Sequence, residues 1–188
     1  MTNRREEILL TTRDLIENQG FQATGVNEIV RESGAPKGSI YYYFPEGKEE
    51  IVAEAVRFAG KHMTEHIRSH LESVEDAAEA VQSFLADLAK HIEETGFRAG
   101  GPITIVASES ATTSERINLA CQEVYTALHE AFAAKLRSNG IEAERAASLA
   151  WTIISTIEGA AILSRTFHTV NPLLAASQQF TNFIRQDQ

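Results

Sequence analysis

Lys37, Gly38, Ser39, Tyr41, Tyr42 and Tyr43 fall within a single short window and carry the most chemically suggestive side chains of the chain. A lysine ammonium donates to O6 and N7 of guanine, and a serine hydroxyl bonds to several bases. Tyrosine hydroxyls serve phosphate oxygens. Gly38 has no side chain, so its backbone can come close to a base edge. These are contacts to duplex DNA, not the parts of a reaction centre. The competing reading is a helical hairpin with its tyrosines packed inward. Successive residues of a helix point ~100° apart, so three consecutive tyrosines cannot all be buried. At least one must be wet, and a wet tyrosine beside Lys37 and Gly38 favours a binding surface.

The neighbouring residues supply a frame for this window. Val26, Ile29 and Val30 recur at helical spacing, with Gly25 or Thr24 as the cap and Glu28 in the first turn. Gly34 suits the left-handed turn that closes a helix, and Pro36 suits the start of the next. Ile40 is the inward anchor of that second helix, which the spacing predicts over 36–44. Upstream, Ile8, Leu9, Thr12, Leu15 and Ile16 share one face of a helix over 4–19. Gly20 ends it and Phe21 packs back. Arg4 and Arg5 at its start reach either phosphate or solvent.

From Thr24 to Lys48 this pattern resembles the DNA-binding signature of TetR-type transcriptional regulators, whose recognition helix carries a Lys-Gly-Ser/Thr-Leu/Ile-Tyr-Tyr-x-Phe run. The form PKGSIYYYFPEGKEE, with Gly47 before Lys48, and the later GGPITIVASE are similar to the LmrA/YxaF-like branch of drug- and flavonoid-responsive regulators. Val30 stands where a smaller Ala is frequent, and Tyr43 where His is common. The resemblance implies DNA contacts from Thr24, Gly25, Lys37, Gly38, Ser39, Tyr41, Tyr42, Tyr43 and Lys48. It also implies a C-terminal helical body that pairs two copies and releases DNA on binding a small apolar molecule.

The 188 residues include one cysteine, Cys121, so an internal disulfide is excluded and a reducing, cytoplasmic setting is expected. There is no leader pattern and no uninterrupted apolar run of ~18 residues, so neither secretion nor membrane insertion is expected. The net charge of −9 is unevenly spread. Residues 1–45 carry five basic and six acidic groups, and the remainder twelve and twenty. The acid lies in the body, where it repels DNA and leaves contact to the N-terminal end.

Lys48 begins a long helix to about residue 70. Lysine is unfavourable at a helix N-terminus, and a phosphate beside that end would account for it. Ser73 with Asp76 reads as a capping box for a helix to Glu94. Gly96, Gly100, Gly101 and Pro102 mark a loop before a short helix over 103–108. Thr113 or Ser114 caps a helix to Ser138. Glu142 to Arg165 and Asn171 onward form the two last and most apolar helices. The whole reads as an all-α fold of about nine helices, with a DNA-binding domain at 1–47 and a ligand-binding and dimerisation domain at 48–188.

Ile153, Ile157, Ala160, Ala161, Phe180 and Ile184 are the candidate dimer residues, on two helices from each of two copies. His66, Phe84, His91, Tyr125, Trp151, Glu158 and Phe167 are candidates for an apolar pocket with polar anchors, with His168 nearby in sequence. His62, His66 and His70 recur at four-residue spacing, but without cysteine or a carboxylate cluster, so a metal sensor is the weakest alternative. No phosphate loop or nucleophile elbow is present, and neither a cofactor nor catalysis is expected. The expected function is a homodimeric, ligand-released repressor on a palindromic operator. The rival is a helical carrier or enzyme that keeps a helix-turn-helix for packing alone.

Overall fold

The computed structural model describes residues 3–97 and 102–185. Gly100 and Gly101, part of the glycine-rich stretch noted above, lie outside the described residues, as does the side chain of Pro102. Among the described residues there are nine α-helices and no strand: α1 (Arg4–Ala23), α2 (Val26–Ser33), α3 (Lys37–Tyr43), α4 (Lys48–Ser73), α5 (Ala77–Glu94), α6 (Pro102–Ser110), α7 (Glu115–Ser138), α8 (Ala143–Phe167) and α9 (Asn171–Arg185). The chain divides into two compact units. One comprises residues 1–62 with 101–125, and the other 63–100 with 126–188. Helices α4 and α7 each contribute to both.

The first unit is built around α1. Asn3 caps it reciprocally with Glu6, an arrangement written in the sequence as Asn-x-x-Glu. Helical hydrogen bonding resumes beyond Gly20, so α1 runs four residues past the stop the sequence suggests. The stop is still visible as a kink, because Gly20 takes φ 85°. Ile8 and Leu9 of α1, Ile29 of α2, Ile40 and Phe44 around α3, and Ile51 and Ala55 of α4 form one buried cluster. Full burial of each Ile contributes roughly 1.5–3 kcal/mol, so the short α2 and α3 are held mainly by these anchors. Gly34 closes α2 in the left-handed conformation, φ 62° and ψ 10°.

Helix α6 packs along α1, and polar ties fasten the start of α7 to α4. The Ser114 hydroxyl donates to Glu49 at 2.7 Å. Arg116 pairs with Glu46. Arg57 forks onto both carboxylate oxygens of Glu123 at 2.6 and 3.0 Å. The hydrogen bond and charge of this pair raise the Arg57 pKa and lower that of Glu123.

In the second unit α5 packs against α9 and α8, and α8 against α9. Asp76 caps α5 by accepting the Glu79 N–H at 2.8 Å. Ser73 does not share in that cap. It closes α4, and its hydroxyl donates to the His70 carbonyl at 2.7 Å. The reason is that α4 continues three residues beyond its expected end. Ala89, Ile92, Ala160, Ala161 and Leu173 form a core between α5, α8 and α9. Helix α8 holds an 18-residue stretch of mean hydropathy 1.5, long and apolar enough by composition to cross a bilayer. Counting uninterrupted apolar residues overlooks it, because Glu158 and scattered serines and threonines break the run. Its apolar residues instead divide between this core and an open groove described below.

Candidate nucleic-acid interface

Helix α2 and the turn at Gly34 present α3 with one side anchored and the other bare. Ile40 is fully buried, whereas Tyr41 is 48% and Tyr42 79% exposed. Lys37 and Gly38 are exposed, and Ser39 and Tyr43 half-buried. The Tyr43 ring packs on the apolar cluster and stands edge-on to Tyr42, centroids 5.0 Å apart. Tyr43 thus props Tyr42 outward. A Cβ at Gly38 would meet nothing within 4 Å, so the backbone there is open to an incoming surface. Lysine, glycine and two tyrosines are therefore uncovered on one helix, with serine half-buried beside them, and an α-helix is an element that a major groove admits.

The other candidate DNA contacts are placed differently. Thr24 is fully buried, and its hydroxyl donates to the Gly20 carbonyl at 2.8 Å. It joins α1 to α2 and offers its side chain to no outside partner. Gly25 caps α2 with extended backbone, φ −104° and ψ 151°, and no side-chain bond. The Lys48 ammonium donates to the Gln22 carbonyl at 3.3 Å and lies 4.4 Å from the Phe21 ring centroid. Burial lowers its pKa, and Glu109 opposes that shift. Arg4 pairs with Glu7, and Arg5 with Glu54 at 2.6 Å while lying over Phe44. Both arginines are engaged within the protein.

The candidate dimer residues divide into two sets. Ile153 and Ile184 are fully inside the chain's own core, and Ala161 is nearly so. Ala160 and Phe180 are also buried, but they floor an open groove of about 480 Å³ between α8 and α9, whose walls include Thr156, Leu163, Ala175 and Phe183. Ile157 is half-buried. Trp151, Ile162, Leu163, Phe167, Leu174 and Phe183 are exposed apolar side chains on these helices, and of them Trp151 and Phe167 alone stand among the candidates, for the pocket and not for the dimer. Periodicity finds a helix's apolar residues without saying which stripe the chain itself covers.

None of the seven pocket candidates lines that groove. Phe84 is buried, edge-on to His70 and to Phe132. His66, His91 and Phe167 are exposed, Glu158 is half-buried, and Tyr125 is half-buried in the first unit. Trp151 is half exposed and lies against His129, centroids 4.5 Å apart. Of the histidine stripe, His70 faces Ser83 and Asp87, His62 meets Phe58, and His66 is exposed.

An all-helical chain whose N-terminal helix-turn-helix bares a Lys-Gly-Ser and tyrosine face belongs to the class of DNA-binding regulators. Comparison with known proteins agrees. The profile of bacterial regulatory proteins of the tetR family matches residues 8–55, and that of the LmrA/YxaF-like transcriptional regulator C-terminal domain matches residues 77–179. The chain is 41% identical to the HTH-type transcriptional regulator YxaF of Bacillus subtilis, over 99% of both chains. It is 36% identical to the LmrA regulator of the same organism, over 97% of each. The reduced form of NemR from E. coli shares the fold, with a TM-score of 0.85 over 96% of each chain at 18% identity. The chain belongs to the TetR family of transcriptional regulators, in its LmrA/YxaF-like branch, and like them it is a DNA-binding regulator rather than an enzyme.

Proposed function

We propose that this regulator is a cytoplasmic homodimeric repressor that occupies a palindromic operator and leaves it when a small apolar molecule binds. Residues 1–47 read the DNA, and residues 48–188 pair the copies and receive the effector. The observation that carries the reading is the bared face of α3, with Tyr42 at 79% exposure beside uncovered Lys37 and Gly38. In a dimer two such faces would enter successive major grooves ~34 Å apart.

The α8–α9 groove supports pairing. Its lining is almost wholly apolar, and the side chains on its rim are large and uncovered. A second copy of the same two helices is the occupant proposed for it, since two-fold pairing brings the same patch of both copies together. The hydroxyls of Thr64 and Ser164 support an effector site in the second unit. Both hydroxyls are buried without a hydrogen-bond partner among the described residues. Such groups are costly unless something satisfies them, and an effector with a polar edge would do so. Coupling is reciprocal, so operator DNA weakens effector binding by the factor by which effector weakens DNA binding. Fluorescence anisotropy with the DNA flanking its own gene, followed by a screen for molecules that reverse binding, tests the whole reading. No binding to any duplex would defeat it.

A further inference from the structure

Gln22, at the exit of α1, is gripped from two sides within the first unit. Its N–H donates to Glu109 Oε2 of α6 at 3.0 Å, and its carbonyl accepts from Lys48 Nζ of α4 at 3.3 Å. The fit is shaped by glycine. A Cβ at Gly20 would lie 2.6 Å from Glu109 Oε1, and the φ of +85° there is one that side chains rarely adopt. The carboxylate therefore occupies a notch made by a kink that only this residue allows without strain. It also faces the Lys48 ammonium electrostatically. Two residues after Gln22, the Thr24 hydroxyl ties the Gly20 carbonyl to the start of α2, and Gly25 then caps α2. A continuous series of hydrogen bonds thus runs from α6, through one carboxylate, to the helix pair that carries the tyrosine face.

We infer that Glu109 is the positioning residue through which α6 holds the reading head in its DNA-competent posture. Withdrawal of α6 removes the acceptor from Gln22 and leaves its neighbour Lys48 without a counter-charge, so the α1–α2 corner loosens. Ser114 and Arg116 tie the start of α7 to α4. Glu109 is placed to pass a movement of α6 directly to the corner that aims α2 and α3. The inference rests on the DNA-binding reading above, and its test separates the two.

The test compares the full-length wild type with E109A and E109Q, using a duplex recovered from a random DNA library by the wild-type protein and hydrogen exchange read by mass spectrometry. Loss of a hydrogen bond to a charged acceptor predicts about tenfold weaker duplex binding for E109A, and faster exchange at residues 20–24 in the free protein. E109Q keeps an oxygen that can accept the Gln22 N–H and falls between the two. In the wild type, bound duplex slows exchange in both α3 and α6. In E109A it slows α3 but leaves α6 unchanged, an outcome that a merely structural role would not give. Equal affinities, or equal protection of α6 in E109A and wild type, overturns the inference, as does unaltered exchange at 20–24 in free E109A. A wild type that selects no duplex instead overturns the DNA-binding reading itself.

Discussion

Gly60 and Val124 stand so close that a side-chain carbon at position 60 would lie 2.2 Å from Val124 Cγ2 and 2.6 Å from Cγ1. Helices α4 and α7 cross there with no room for a methyl group. Gly60 is not chosen for backbone freedom, since it sits inside a regular helix and costs about 1 kcal/mol relative to Ala in an exposed position. The close approach outweighs that cost. Gly60→Ala is therefore expected to destabilise the protein by ~1–3 kcal/mol through overpacking, opposite to its effect on helix propensity. Gly60→Ala combined with Val124→Ala should recover part of the loss. Thermal unfolding of the four proteins of this double-mutant cycle checks the coupling.

The Cys121 thiol is buried, and desolvation pushes its pKa from 9.0 to about 11. The thiolate is the reactive form, so the native protein should resist alkylation at neutral pH and react fully once unfolded. A group whose folded pKa is raised stabilises the fold below its unfolded value and loses that contribution as pH rises through the folded one. Stability should therefore fall as pH climbs from about 9 to 11, and less so in Cys121→Ala. Timed labelling and melting curves across that range measure both effects.

Substitutions on α8 and α9 should separate pairing from folding. Leu163 and Phe183 are nearly half exposed on the groove walls, so Leu163→Glu and Phe183→Glu should leave the monomer folded and lower the dimer fraction. Ile153 is buried within the chain, and Ile153→Ala should instead cost ~2–5 kcal/mol of stability through the cavity it leaves. Light scattering with size exclusion reads the first effect and denaturant titration the second.

The sequence made the reading head legible because its cues are local. Gly34 and Pro36 mark a turn, Val30 and Ile40 have the spacing of anchors, although Ile29 is the residue of α2 that is fully buried, and three adjacent tyrosines cannot all be buried. Asp76 marks where its helix starts, but as the cap itself and not as the partner of Ser73, and of Thr113 and Ser114 it is Ser114 that accepts from the first turn of α7. What remained hidden depends on partners distant in the chain. Glu109 meets Gln22 across 87 positions and Arg57 meets Glu123 across 66, and no periodicity reports either. For the same reason Lys48 could be recognised as out of place at a helix start, but not as the neighbour of Phe21 and Gln22. On α8 nearly every side is apolar, so composition could not distinguish core Ile153 from bare Trp151.

The most direct measurement is duplex affinity, by anisotropy on a sequence selected from a random library, for wild type, Lys37→Ala and Tyr42→Ala. Both side chains are exposed, so these substitutions should leave melting temperature and oligomeric state unaltered. Each should weaken binding by about 1–3 kcal/mol, with Lys37→Ala also relaxing sequence preference. If both variants bind the selected duplex as tightly as the wild type does, α3 is not the reading element and the account is contradicted.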